Sequence, residues 1–174
     1  YLNGSSSVEP RLGLKWNLTE NQSLNFATGL HSQMQPYYIY YHLLNDGKGN
    51  ISMQNHDLSF SRSLHYVVGY DYSFRQNSRI KMETYYMDLF DVPVTEKSSS
   101  YTILNEGAVF SRFFPSKLVN KGTGKNYGVE FTYEKFFSKT YFLLFSSSLY
   151  ESKYKGSDGI ERNTSFNGQY AANM

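Results

Sequence analysis

L-H-Y-V-V-G-Y-D-Y-S-F, residues Leu64 to Phe74, decides the fold class. Leu64, Tyr66, Val68, Tyr70, Tyr72 and Phe74 make one apolar set, and His65, Gly69, Asp71 and Ser73 fall between them. A helix, turning about 100° per residue, would mix the two sets, whereas a strand places successive side chains on opposite faces and separates them. The run exceeds the roughly five or six residues of an ordinary globular strand. It reaches the roughly 9–11 residues with which a tilted strand crosses a bilayer. Its apolar face is therefore built to meet either lipid or a core.

The same alternation recurs on both sides. Val8 to Trp16 sets Val8, Pro10, Leu12, Leu14 and Trp16 against Glu9, Arg11, Gly13 and Lys15, with the proline near the start, where a strand tolerates it. After a turn over Asn17 to Gln22, Leu24, Phe26, Thr28 and Leu30 alternate with Asn25, Ala27, Gly29 and His31. A long connection from Ser32 to Asp57 follows, holding the turn-rich run Asn45-Asp46-Gly47-Lys48-Gly49-Asn50. The polar turn Arg75-Gln76-Asn77-Ser78 then joins the opening strand to Ile80, Met82, Thr84 and Tyr86, which alternate with Lys81, Glu83 and Tyr85 as the second arm of a hairpin. Asp91 to Lys121, with Pro93, Pro115 and Ser98-Ser99-Ser100, reads as a second long loop. Alternation resumes with Tyr127, Val129, Phe131 and Tyr133 against Gly128, Glu130, Thr132 and Glu134. A turn at Ser138-Lys139 leads to Tyr141 to Leu149, where Phe142 and Leu144 blur the pattern, and a last segment runs from Thr164 to Ala172 after Gly156-Ser157-Asp158-Gly159.

Seven antiparallel strands result, joined in the order short, long, short, long, short, moderate. In an up-and-down sheet, alternate connections lie at the same end, so the tight turns share one end and the longer loops the other. Outer-membrane barrels have that asymmetry. Trp16, Phe74, Phe136 and Phe137 fall beside the tight turns, where such barrels carry aromatic girdles. The alternative is a soluble β-rich module, of carbohydrate-binding or adhesin type, in which those rings cap a buried core.

Composition fits a folded β protein. Aromatics are 18% of the 174 residues, with 17 Tyr and 13 Phe, which excludes disorder. No apolar run of about 20 residues could form a spanning helix, and the negative mean hydropathy is compatible with a barrel because alternate residues face a polar interior. A net charge of +2 without a basic cluster argues against nucleic acid as a partner. There is no cysteine, so neither disulfide nor thiolate chemistry is available. The chain opens on Tyr1 with no leader-like segment and reads as a fragment or processed chain, one barrel piece over residues 1–174.

Several segments resemble the C-terminal half of the barrel of TonB-dependent outer-membrane receptors, in particular the group with a carboxypeptidase-regulatory-like N-terminal domain. They are His31-Ser-Gln-Met-Gln-Pro36, His65-Tyr-Val-Val-Gly-Tyr-Asp71, Leu118-Val-Asn-Lys-Gly-Thr-Gly-Lys-Asn-Tyr-Gly-Val-Glu130, Ser148-Leu-Tyr-Glu-Ser-Lys-Tyr-Lys-Gly156 and Asn163-Thr-Ser-Phe-Asn-Gly168. The resemblance implies a receptor in the cell outer membrane that binds a scarce nutrient (siderophore, haem, cobalamin, peptide or glycan) and imports it with energy passed on by TonB. It implies, as partners, outer-membrane lipid, a plug and further barrel strands of the same receptor, TonB through an upstream region, and a small nutrient ligand. Barrels of this type close with about 22 strands, so seven strands would form only part of the wall.

No enzyme signature stands out, and the sequence calls for no cofactor. His31, His42, His56 and His65 show no metal-ligand spacing and read as isolated polar or loop residues. Glu130 and Glu134 share a strand face, but a charged lumen wall explains them better than acid–base catalysis. His65, Asp71, Lys81, Glu83, Glu130 and Glu134 are accordingly expected to face the lumen. Gly122-Thr-Gly124-Lys-Asn-Tyr-Gly128 lacks the ending of a phosphate loop and leads into a strand, so it reads as strand entry. Asp46-Gly47 and Ser157-Asp158-Gly159 are turn chemistry before they are calcium ligands. Tyr37, Tyr38, Tyr40 and Tyr41 lie in a long loop and combine flat apolar area with hydroxyls, as recognition surfaces do. They form the candidate ligand-binding cluster, the alternative being an extension of a neighbouring strand packed on adjacent loops.

Overall fold

The computed structural model describes residues 3–45, 47–74, 77–108, 116–138 and 141–174, with backbone alone at 137 and 138. Asp46, Arg75, Gln76, Pro115 and Lys139, which the sequence puts in turns or loops, and the Phe137 side chain lie outside the described residues. One antiparallel meander dominates: β1 (Arg11–Thr19), β2 (Gln22–Gln33), β5 (Ser61–Ser73), β6 (Ser78–Thr95), β7 (Leu118–Ser138), β8 (Tyr141–Lys155) and β10 (Tyr170–Asn173), hydrogen-bonded in that order. The short β9 (Glu161–Asn163) pairs with the far end of β8, and β3 (Leu44–Asn45) and β4 (Ile51–Ser52) form a separate ribbon in the first long loop. The seven expected strands are the seven of the meander. Tight connections join β1 to β2, β5 to β6 and β7 to β8 at one end, and long loops lie at the other.

Register turns the alternation of single strands into rows across the sheet. Leu14, Phe26, Val68, Thr84, Val129, Leu149 and Tyr170 face one another in sequence, as do Trp16, Leu24, Tyr70, Met82, Phe131, Ser147 and Ala172. Toward the tight turns the row is Tyr72, Ile80, Tyr133 and Phe145; toward the loops it is Leu12, Thr28, Tyr66, Tyr86 and Tyr127. One row beyond, Leu30 and Leu64 continue the apolar face on β2 and β5, whereas Asp88, Lys125 and Lys153 end it on β6 to β8. Among the described residues no second layer covers it: Leu14, Trp16, Val68, Met82, Val129 and Leu149 are all exposed. In a sandwich these rows would form the core.

The buried apolar cluster lies instead among the loops. A short helix, α1 (Tyr37–Tyr40), brings Ile39 and Tyr40 onto Leu58 and Leu118, with Tyr101 and Ile103 packed alongside. Asn55, 1% exposed, donates through Nδ2 to the Ser116 carbonyl at 3.1 Å and accepts the Leu118 amide on Oδ1 at 2.8 Å. Asn120 ties Ser59 and the Asp91 carbonyl to β7 in the same way. The first long loop is therefore clamped to the strand that follows the second.

The sequence reading needs correction around that clamp. The loop expected over Asp91 to Lys121 is shorter, because β6 continues to Thr95 and β7 starts at Leu118. Val92, Pro93 and Val94 are consecutive buried residues, so no alternation survives there. Asp91 takes a φ of 55°, and the register shifts twice between Leu89 and Pro93. β5 pairs with β6 only as far as Phe90, so Pro93 lies where one neighbour is absent and its missing N–H is tolerated. Gly122 and Gly124 are inside β7 and do not merely enter it: a Cβ on Gly122 would meet Val94 Cγ1 at 2.4 Å, so the bare backbone admits the neighbouring valine. Thr164 to Gln169 is a turn-containing connection, and only Tyr170–Asn173 of the expected last segment is strand.

Candidate functional site

The polar face carries all six residues expected on an interior wall. Lys15, Asn25, Gly69, Glu83, Glu130 and Ser148 form one row; Asn17, Ser23, Asp71, Lys81, Thr132 and Ser146 form the next. His65 lies in a row with Gly29, Met87 and Asn126, and Glu134 opposite Arg79. Arg79 gathers three strands: its guanidinium bonds both carboxylate-facing nitrogens to Asp71, with Nε at 3.0 Å, and approaches Glu134 Oε2 at 3.6 Å. Asn25 Nδ2 donates to the other Asp71 oxygen at 2.6 Å. Lys81 Nζ reaches Glu83 at 2.5 Å. These charges are partly exposed, so they hold register and side-chain geometry more than they add stability.

A recess of about 670 Å³ opens where the polar face runs under the loops. Its wall includes His31 on β2 and His65 on β5, whose ring centroids are 4.2 Å apart with planes tilted by 32°. Ser63 Oγ lies 2.7 Å from His65 Nε2. Gln35, whose Nε2 donates to Ser61 at 2.8 Å, and Arg62, whose Nε faces Asp91 Oδ2 at 3.7 Å and has no hydrogen-bond partner among the described residues, supply further polar groups. Leu104 and Glu106 of the second long loop complete it. Imidazole, guanidinium and amide beside leucine suit a ligand with both acceptor groups and apolar surface. Among the described residues no group of three or more His, Cys, Asp or Glu is placed to hold a metal ion.

The tyrosine cluster divides. Tyr37, Tyr38 and Tyr41 are exposed on α1 and its end, whereas Tyr40 is 1% exposed in the loop core and its hydroxyl accepts the Gln35 amide at 3.2 Å. Tyr40 thus has no surface to offer a ligand and acts as a support. Neither a loop without secondary structure nor a strand extension describes the run, since the residues after Pro36 close one helical turn. The second loop packs on it through Tyr101, whose hydroxyl donates to Glu106 Oε1 at 3.2 Å; burial, then that carboxylate, pushes the phenol well above its ordinary value.

Arg79, the His31–His65 contact and Asn55 escaped the sequence. Arg79 has the parity of Lys81 and Glu83, a signal lost by starting that strand at Ile80. His31 and His65 read as isolated, yet the β2–β5 register, with Gly29 opposite His65 and His31 opposite Ser63, brings the rings together. Asn55 has no pattern to mark it, because its role depends on a partner 63 residues away.

Residues 2–174 match the family model for the TonB dependent receptor-like β-barrel. The chain belongs to that family. No curated protein matches it significantly. Among solved structures it is similar to the FrpB iron transporter from Neisseria meningitidis (F3-3 variant), at 16% identity and a TM-score of 0.61 over 97% of this chain and 24% of that one. The likeness shows the fold, and the chain spans about a quarter of that relative's length. As part of a TonB-dependent receptor barrel, the meander has its two end strands, β1 and β10, each paired on one side only, and an uncovered apolar face of the kind barrels turn outward.

Proposed function

We propose that this chain supplies part of the barrel wall and the extracellular loops of an outer-membrane receptor that imports a scarce nutrient by TonB-dependent active transport. The observation that carries the reading is the uncovered apolar face, ordered in rows over the meander and bounded by Tyr66, Tyr86 and Tyr127 on the loop side. Lipid covers those rows. The opposite face, with His65, Asp71, Lys81, Glu83, Glu130 and Glu134, lines the lumen against water and the receptor's plug. The long loops lie outside the cell, and a ligand passes Tyr37, Tyr38 and Tyr41 before entering the recess at His31, His65 and Arg62.

The reading is tested in cells carrying the complete receptor. Deleting the receptor and deleting TonB should abolish growth on the same sole nutrient, chosen from iron chelates, haem, cobalamin, peptides and glycans. Substituting Tyr38 and Tyr41 by Ala should then weaken capture with normal levels of folded receptor in the outer membrane. Uptake that survives loss of TonB would sink the transport reading; unchanged affinity in the double variant would remove the tyrosines from the site.

A further inference from the structure

Beyond the tyrosine row, the outward positions of β7 and β8 turn basic. Lys125 faces Lys153, which faces Asn163 of β9, and one row farther Thr123, Lys155 and Glu161 stand side by side. Exposure alternates strictly there: Thr123, Lys155, Glu161 and Asn163 are exposed, while Gly124, Tyr154, Gly156 and Thr164 are buried. Loops pack the buried side, since a Cβ on Gly124 would stand 2.8 Å from Leu104 Cδ1 and one on Gly156 2.5 Å from the Ser99 carbonyl. The lysines therefore share the face that carries the apolar rows lower down. A recess of about 160 Å³ opens among them, lined by Asp88, Thr123, Lys125, Lys153, Lys155 and Glu161, among others. Its two acids are set against one lysine: Glu161 Oε2 lies 2.8 Å from Lys125 Nζ, and Asp88 faces Lys125 from β6. Lys153 has Glu151 at a looser 3.5 Å, and the Lys155 side chain makes no hydrogen bond or ion pair among the described residues.

We infer that this lysine sector grips the phosphate of an anionic lipid headgroup, with Lys153 and Lys155 as the binding cations. Position argues for a lipid. Two strand residues climb about 5 Å along the membrane normal at barrel tilt, which puts Lys125 and Lys153 about 5 Å above the tyrosine row and Lys155 about 10 Å above it. The headgroup region extends about 5–8 Å beyond the hydrocarbon on each side. A lysine stem bends along an apolar surface to bring its ammonium to that depth. Register argues for an anion: Lys125 and Lys153 are directly opposite, and like charges so placed repel. Glu161 answers the first of them, and a phosphate held by Lys153 and Lys155 answers the second. β2 and β5 have no such sector, because Leu30 and Leu64 keep the same row apolar, so the grip belongs to one side of the wall. The inference rests on the apolar rows being the lipid-covered face.

The test places the complete receptor in nanodiscs of equal parts phosphatidylcholine and phosphatidylglycerol, releases it into detergent and counts the lipids it keeps by native mass spectrometry. The receptor should keep phosphatidylglycerol in preference to phosphatidylcholine. A lysine near an anionic surface is worth roughly fivefold in that preference, so Lys153→Gln combined with Lys155→Gln should lower it about tenfold or more. The melting temperature in pure phosphatidylcholine should not change, which shows that the double variant folds. Lys97→Gln, at an exposed position of the second long loop, should leave the preference intact. Equal retention of the two lipids by the unaltered receptor, or an undiminished preference in the double variant, overturns the inference. Loss of the preference while nutrient uptake still requires TonB would remove this inference alone; a preserved preference with uptake independent of TonB would remove the transport reading alone.

Discussion

The Asn55 carboxamide oxygen accepts the Leu118 amide at 2.8 Å, joining the first long loop to the start of β7 across 63 residues of sequence. Its Nδ2 holds the Ser116 carbonyl in the same grip. Two backbone groups of β7's entry thus depend on one side chain that is 1% exposed. Asn55→Ala should therefore leave both unpaired in a buried setting and cost about 1–3 kcal/mol. The loss should be local. Amide exchange at Leu118 and in residues 53–58 should accelerate in the complete receptor while β5 and β6 stay protected; uniform exchange across the sheet would contradict it.

Val67 and Val68 are adjacent, and register sends them to opposite faces. Val68 stands in the middle apolar row between Phe26 and Thr84, and Val67 lies between Ala27 and Tyr85 on the polar side. With lipid on the Val68 side, Val68→Arg near the bilayer midplane should destabilise the folded receptor by about 2–4 kcal/mol. Val67→Arg should be tolerated, because its guanidinium would reach the recess that holds Glu83 and Glu130. Urea titration in lipid vesicles measures both. The reverse order of stabilities would place lipid on the other face.

That pair also shows how far the sequence could be read. Period two in Leu64 to Phe74 already separates Val67 from Val68, because the alternation belongs to the strand itself. Which residues meet across strands is a property of register, and register depends on turn and bulge geometry that periodicity does not encode. Glu83 opposite Glu130, His31 beside His65 and Tyr85 over Gly128 are all of that kind. Where two faces are buried at once, as at Val92, Pro93 and Val94, even the period vanishes and a strand reads as a loop. Tyr40 illustrates the remaining loss: in composition it matches Tyr38 and Tyr41, and only one turn of helix turns it inward while they stay exposed.

Arg79 joins Asp71 of β5 to Glu134 of β7 from its own strand β6. Arg79→Met removes both pairs and leaves Asp71 with Asn25 as its remaining side-chain donor. The Arg79 side chain is 36% exposed, so solvent screening limits the loss to about 1 kcal/mol. Adding Asp71→Asn should restore most of it, since a neutral amide no longer needs the guanidinium. A double-mutant cycle by urea unfolding gives the coupling directly, and additive single effects would show that the three charges act independently.

Tyr101 makes the loop cap sensitive to alkali. Burial disfavours its phenolate most, and the Glu106 carboxylate that accepts its hydroxyl disfavours it further, so the folded cap holds the phenol above its ordinary value. The sign follows from linkage. Below the ordinary tyrosine value of about 10 both states carry a neutral phenol and the cap keeps its full stability. As the pH rises past about 10, the opened loop ionises while the closed one cannot, and stability falls until the folded value is reached. Cleavage of residues 99–108 by subtilisin should accordingly be slow and flat from pH 8 to about 10 and accelerate above it, relative to cleavage of an unstructured reference peptide. Tyr101→Phe cannot ionise, so its profile should lack the alkaline rise even though the lost bond to Glu106 raises cleavage at every pH. Glu106→Gln should leave the onset near pH 10 and make the rise smaller, because it removes the second cause that holds up the folded value and keeps the first. A rise of equal size in Tyr101→Phe would assign the alkaline opening to another group.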